Sequence, residues 1–139
     1  MAIRAIAAGD DALFLDAVTT LMLELEGRLD IVGWADDEGH AATLVREVLP
    51  DLALVSAESR FGDGVATARR LLAANPTCRV VLVGSERSPS EIERGLSAGA
   101  AGYVTIDPVG IDLFALALSV EAARWGESRL PAEPASYGS

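Results

Sequence analysis

The stretch Pro50–Gly64, "PDLALVSAESRFGDG", decides the fold. Leu52, Ala53, Leu54 and Val55 make a short, unbroken apolar run, the pattern of a strand buried on both faces. Ser56 is the first residue beyond that run with a side chain able to do chemistry. After a loop shaped by Gly62 and Gly64, an amphipathic segment reads as a helix from Gly64 to Ala74, stopped by Asn75 and Pro76.

The same alternation extends in both directions. Upstream, Ile3–Ala8 reads as a strand, Ala12–Gly27 as a helix, Leu29–Trp34 as a strand and Glu38–Leu49 as a helix halted by Pro50, which disfavours helical geometry in the residue before it. Downstream, Arg79–Ser85 is the most evidently buried strand, and Ser88, Pro89 and Glu91 form a capping box that starts a helix at Pro89, ending near "AGAAG". Gly102–Thr105 is the fifth strand and Ile111–Arg124 the last helix. Strict alternation implies parallel strands joined by right-handed crossovers, with helices on both faces of the sheet. The expected class is therefore a doubly wound α/β fold, whose site lies at the carboxyl ends of the strands. That places Gly9, Asp10, Asp11, Ser56, Gly84, Ser85, Thr105 and Ile106 under scrutiny.

Composition narrows the function. The 139 residues are 50% hydrophobic and 23% charged, enough apolar material for one soluble domain over about residues 1–126, with 127–139 as a tail or the start of a linker. No apolar run reaches the roughly 18 residues of a membrane span, and no signal-peptide pattern opens the chain, so a cytoplasmic protein is expected. A net charge of −10 repels a phosphate backbone, which argues against direct nucleic-acid binding. Cys78 is alone, so neither an internal disulfide nor a cysteine zinc site is expected; Cys78 and His40 read as loop and surface residues. Neither GxGxxG nor GxxxxGK[ST] occurs, and no cofactor is expected.

The stretches "IRAIAAGDDALF", "GWADDEGHAATLVREVLPDLALVSAESRFGDG", "RVVLVGS" and "LSAGAAGYVTID" resemble the receiver domain of bacterial response regulators, particularly of the NarL/FixJ type, from about Ile3 to Ser119. The resemblance implies a five-stranded sheet in the order 2-1-3-4-5. It also implies a site that moves a phosphoryl group from a histidine kinase onto an aspartate at the end of the third strand. An acid pair after the first strand would hold Mg²⁺, a hydroxyl after the fourth would contact the phosphoryl group, and a lysine after the fifth would neutralise it. Aligned on "ALF" and "PDLALV", this chain has Gly9 and Asp10 at the acid pair, Ser56 at the phosphoacceptor, Gly84 at the hydroxyl and Ile106 at the lysine. Shifting the first loop would instead make Asp10 and Asp11 the pair, but the anchor "ALF" argues against the shift.

The losses fit one another. Removing one member of a charged cluster strands a partly buried charge at about 3–5 kcal/mol, whereas losing two acids and the lysine together leaves about one net negative charge where there were about two. The domain is therefore expected to be a degenerate receiver, neither phosphorylated by the usual route nor stabilised by Mg²⁺, and not an enzyme. Tyr103 stands where the family carries its switch aromatic, but Gly84 removes the hydroxyl to which that switch would couple.

Two helices show more apolar surface than one buried face needs. In the last, Leu113, Leu116, Ala117 and Val120 are expected to face the sheet, and Ile111, Ala115, Leu118 and Ala122 to form a second, outward stripe. In the first, Phe14, Val18, Leu21 and Leu25 suit the core, while Leu15 and Leu23 fall on the outer side. These outward residues suggest a homodimer or partner surface. The expected role is a regulatory and dimerisation module for transcription control, preceding a helix-turn-helix DNA-binding domain in a longer parent chain. The alternative is a small-molecule sensor, because small residues at Gly9, Ser56 and Gly84 offer room for a ligand between the strand ends.

Overall fold

A computed structural model of the chain describes residues 2–57, 63–85 and 89–127, with side chains to residue 120. Five strands and five helices alternate: β1 Ile3–Ala8, α1 Ala12–Glu24, β2 Leu29–Ala35, α2 Glu38–Val48, β3 Leu52–Ser56, α3 Gly64–Ala74, β4 Arg79–Gly84, α4 Pro89–Ser97, β5 Gly102–Thr105 and α5 Pro108–Glu127. All strand pairs are parallel and the sheet order is β2-β1-β3-β4-β5, as expected. Ser88 and Gly62, and the tail beyond Glu127, lie outside the described residues. No helix of the described residues is long and apolar enough to cross a membrane.

The strand period of two sorts the core into two layers. Ala5 and Ala7 of β1 and Leu52 and Leu54 of β3 join the layer under α1 and α5, while Ile6, Ala8, Ala53 and Val55 join the layer under α2, α3 and α4. By the same period Ser56 follows Leu54 and points toward α1. Small residues in β1 let helices approach the middle of the sheet closely, which brings Phe14 of α1 over the end of the strand.

Helix boundaries follow side-chain caps. Asp11 caps α1, Asp37 caps α2 through the His40 amide at 2.7 Å, and Asp63 caps α3 through the Val65 amide at 2.9 Å. Asp107 accepts from the Gly110 amide at 2.9 Å and starts α5 at Pro108, three residues earlier than its apolar period suggests. Arg94 of α4 bridges Asp63 at 3.0 Å and Glu91 at 3.1 Å, tying α4 to the start of α3; these exposed charges raise its pKa, with Asp63 the larger cause. Between β1 and β2 the register slips at Ala5/Ile6, leaving Val32 without an opposite residue.

Leu49 ends α2 in the left-handed region at φ 52, one residue before Pro50, with its side chain in solvent. A branched side chain is strained there. Leu49→Asn is expected to raise the unfolding free energy by about 0.5–1 kcal/mol, visible as a higher urea midpoint with unchanged slope.

Cys78 sits in the turn before β4, in keeping with its reading as a loop residue, and is nevertheless buried. It completes the layer under α2–α4, and burial, followed by the nearby charge of Asp51, pushes its thiol up to about 12. His40 is exposed.

Candidate functional site

The carboxyl ends of β1 and β3 meet beside the first turn of α1. Ser56 is 1% exposed, and its hydroxyl donates to Asp11 Oδ1 at 2.7 Å. The other oxygen of the same carboxylate, Oδ2, accepts from the Phe14 amide at 3.2 Å. One side chain thus caps α1 and holds the end of β3. The sequence signals both roles separately, an aspartate immediately before a helix and a small polar residue ending a buried strand, but not the bond between them.

Gly9 is held beside this pair by its amide, which donates to the Ala35 carbonyl at 3.0 Å. A Cβ at Gly9 would stand 2.6 Å from Phe14 Cδ2 and 2.7 Å from the Ser56 Cβ. The Phe14 ring, itself fully buried, occupies the space a longer side chain would need. Across the same strand end, a Cβ at Gly64 would meet the Ala57 Cα at 2.8 Å and the Ser56 carbonyl oxygen at 2.9 Å. The end of β3 is therefore enclosed by the starts of α1 and α3.

The remaining expected site residues arrange themselves around this centre. Gly84 ends β4, and its carbonyl accepts from the Ile106 amide at 3.1 Å. Ile106 is half-buried and packs on the α1/α5 layer, so an aliphatic group stands at the position aligned with a lysine. No lysine exists anywhere in the 139 residues to take its place. Tyr103 is half-buried against the α2–α4 layer, beside Leu82 in the register. Asp10 is half-buried in the loop between β1 and α1.

A divalent cation of the kind receivers use does not fit these residues. It needs several oxygen ligands, predominantly carboxylate. At Gly9 there is neither a carboxylate nor space for one, Ser56 is neutral, and the Asp11 carboxylate is engaged by Ser56 and the Phe14 amide, which leaves Asp10 as the one carboxylate retained at the aligned positions. Among the described residues no group of three or more His, Cys, Asp or Glu side chains is arranged to hold a metal.

The outer surface corrects one expectation. Ile111, Ala115 and Leu118 do not face outward; they are buried in the α1/α5 layer together with half-buried Phe114. The exposed stripe is the one assigned to the sheet, with Leu113 at 62%, Leu116 at 64% and Val120 at 57%, joined by Ala117 and by Val109. Both stripes are apolar, so periodicity finds them without ranking them; the bulkier arc, which includes Phe114, fills the interior. Ala122 lies outside the described side chains. On α1, Phe14, Val18 and Leu21 are buried, as is the C-cap Leu25, while Leu15 and Leu23 are exposed.

No protein-family model matches the chain. Individual relatives do. Over 122 residues it is 29% identical to the "probable transcriptional regulatory protein NarL" of Mycobacterium tuberculosis, covering 88% of this chain and 56% of that protein. It is 32% identical over 103 residues to the response regulator GacA of Pseudomonas viridiflava, covering 74% of this chain and 48% of GacA. The chain thus spans about half the length of the curated relatives it matches. Among solved structures, the signal receiver domain of NarL from M. tuberculosis superposes with a TM-score of 0.72 at 27% identity, over 88% of this chain and 97% of that one. The strand order and the parallel crossovers give the chain the CheY-like receiver fold, and its similarity to these response regulators supports a receiver domain.

Proposed function

We propose that this is a phosphorylation-independent receiver that serves as a regulatory and dimerisation module in transcription control. The observation that carries the reading is the residue at the phosphoacceptor position: a neutral hydroxyl, buried and bonded to Asp11, beside a glycine that has no room for an acid. A hydroxyl needs a strong base and charge stabilisation to attack phosphorus, and no lysine is available to supply the second. The relatives bear the names of regulators, and a parent chain of their length would have space for an output domain such as a helix-turn-helix, acting in the cytoplasm.

The exposed α5 stripe supports the dimerisation half. Val109, Leu113, Leu116 and Val120 recur along one side of the helix, and Asp112 is the sole charge between Pro108 and Val120. On a chain of net charge −10, a neutral apolar strip is where a second copy can approach without repulsion. Each such side chain contributes about 1.5–3 kcal/mol when fully buried. A ligand-sensing crevice gains no support from the geometry, since Phe14 and Ser56 fill the space beside Gly9.

Two measurements test the reading. Acetyl phosphate with Mg²⁺ should leave the intact mass unchanged; a hydroxylamine-labile phosphoryl adduct would overturn phosphorylation independence. In sedimentation equilibrium the mass should rise with concentration, and Leu113→Glu with Leu116→Glu should weaken association by about tenfold or more, since 1.4 kcal/mol is tenfold. Unchanged association in that variant would exclude this face.

A further inference from the structure

We infer that the Asp11–Ser56 bond is an internal latch that takes the place of an ion at the strand ends, fastening β3 to the first turn of α1 and holding the region in one arrangement. The inference rests on the reading of the domain as phosphorylation-independent and adds how its site is kept in a single state.

Three observations converge on the same few atoms. The Asp11 carboxylate accepts from Ser56 Oγ at 2.7 Å and from the Phe14 amide at 3.2 Å, so one group spans a strand end and a helix start that are 45 residues apart in the chain. The Ser56 hydroxyl is buried, so breaking the bond would leave a polar group in the interior without that partner. The glycine beside the pair leaves no gap, because the Phe14 ring and the Ser56 Cβ already lie within 2.8 Å of where a side chain would begin.

A two-state site needs a ligand that binds one arrangement better than the other. Here the chain's own carboxylate already engages the Ser56 hydroxyl and the Phe14 amide. The latch also sits on α1, which packs beside α5, so the neighbour of the helix proposed to carry the partner surface is fastened to the sheet by a bond that needs no input signal.

A double-mutant cycle tests the coupling in the full chain. Ser56→Ala should lower the urea midpoint more in the parent than in an Asp11→Ala background; strictly additive shifts would overturn the latch. Asp11→Asn, which preserves a helix cap, replaces Asp11→Ala in the cycle should the latter not fold. Hydrogen exchange supplies a readout that a merely space-filling serine would not move. In Ser56→Ala the Phe14 amide should exchange about fivefold faster, because its carboxylate acceptor has lost the bond that orients it. An unchanged Phe14 rate would also overturn the proposal. Either failure is distinguishable from failure of the wider reading, which falls only if the phosphoryl adduct appears or self-association is lost.

Discussion

Gly9→Asp is expected to cost about 3–5 kcal/mol, a large part of the roughly 5–15 kcal/mol that holds a domain of this size folded. Two effects combine. The new Cβ would collide with the Phe14 ring and the Ser56 Cβ, and the carboxylate beyond it would enter a buried place already facing the Asp11 charge. Gly9→Ala separates them, since it carries only the collision and should cost about 1–3 kcal/mol. The check is urea unfolding of both variants at pH 7. A midpoint for Gly9→Asp equal to that of the parent would mean that the Phe14 ring gives way easily and that the space is not truly occupied.

Ser56→Asp, the change that nominally restores a phosphoacceptor, is expected to lose about 3 kcal/mol at neutral pH. It exchanges a hydroxyl that donates to Asp11 for a carboxylate that repels it at hydrogen-bond distance, with no lysine in the chain to offset the pair. The sign with pH follows from that repulsion. Like-charge contact and burial raise the introduced carboxyl's pKa in the folded state above its unfolded value, so the folded state binds more protons between the two. The variant should therefore recover stability as pH falls from 7 toward the unfolded carboxyl's range near about 4. The parent, lacking that group, should show no matching gain, and urea midpoints from pH 7 to 5 compare the two. Acetyl phosphate should not label Ser56→Asp; strong labelling would show that Gly9, Gly84 and Ile106 matter less than their positions suggest.

The architecture was legible because each strand is marked by a short apolar run and each helix by a stop or a cap. "LALVS" shows its burial directly, and Pro50 and Pro76 punctuate the chain on either side. The placement of Ser56 at the end of β3 follows from those marks alone. What the sequence leaves open is contact across distance. Nothing local to Asp11 or Ser56 reveals that they meet, because they are 45 residues apart and each has an adequate local role without the other. The rotation of α5 is hidden for a related reason: two apolar stripes satisfy the same period, and the choice depends on which fills the interior together with Phe14. Cys78 shows the same limit, since a turn position says little about burial when the turn closes over the core.

The extra residue at Val32 has a consequence for how copies of this domain can meet. β2 is the outermost strand on its side of the sheet, and a flat seven-residue strand there would be an open template for pairing with another chain. The slip splits its ladder into two runs of three, Leu29–Ile31 and Gly33–Ala35, and twists the free backbone between them. Asp30, exposed within the first run, adds a charge that an incoming strand would have to bury. Growth of the sheet from one molecule into the next is thereby discouraged on this margin, as the proposed pairing of two copies through α5 requires if it is to stop at two.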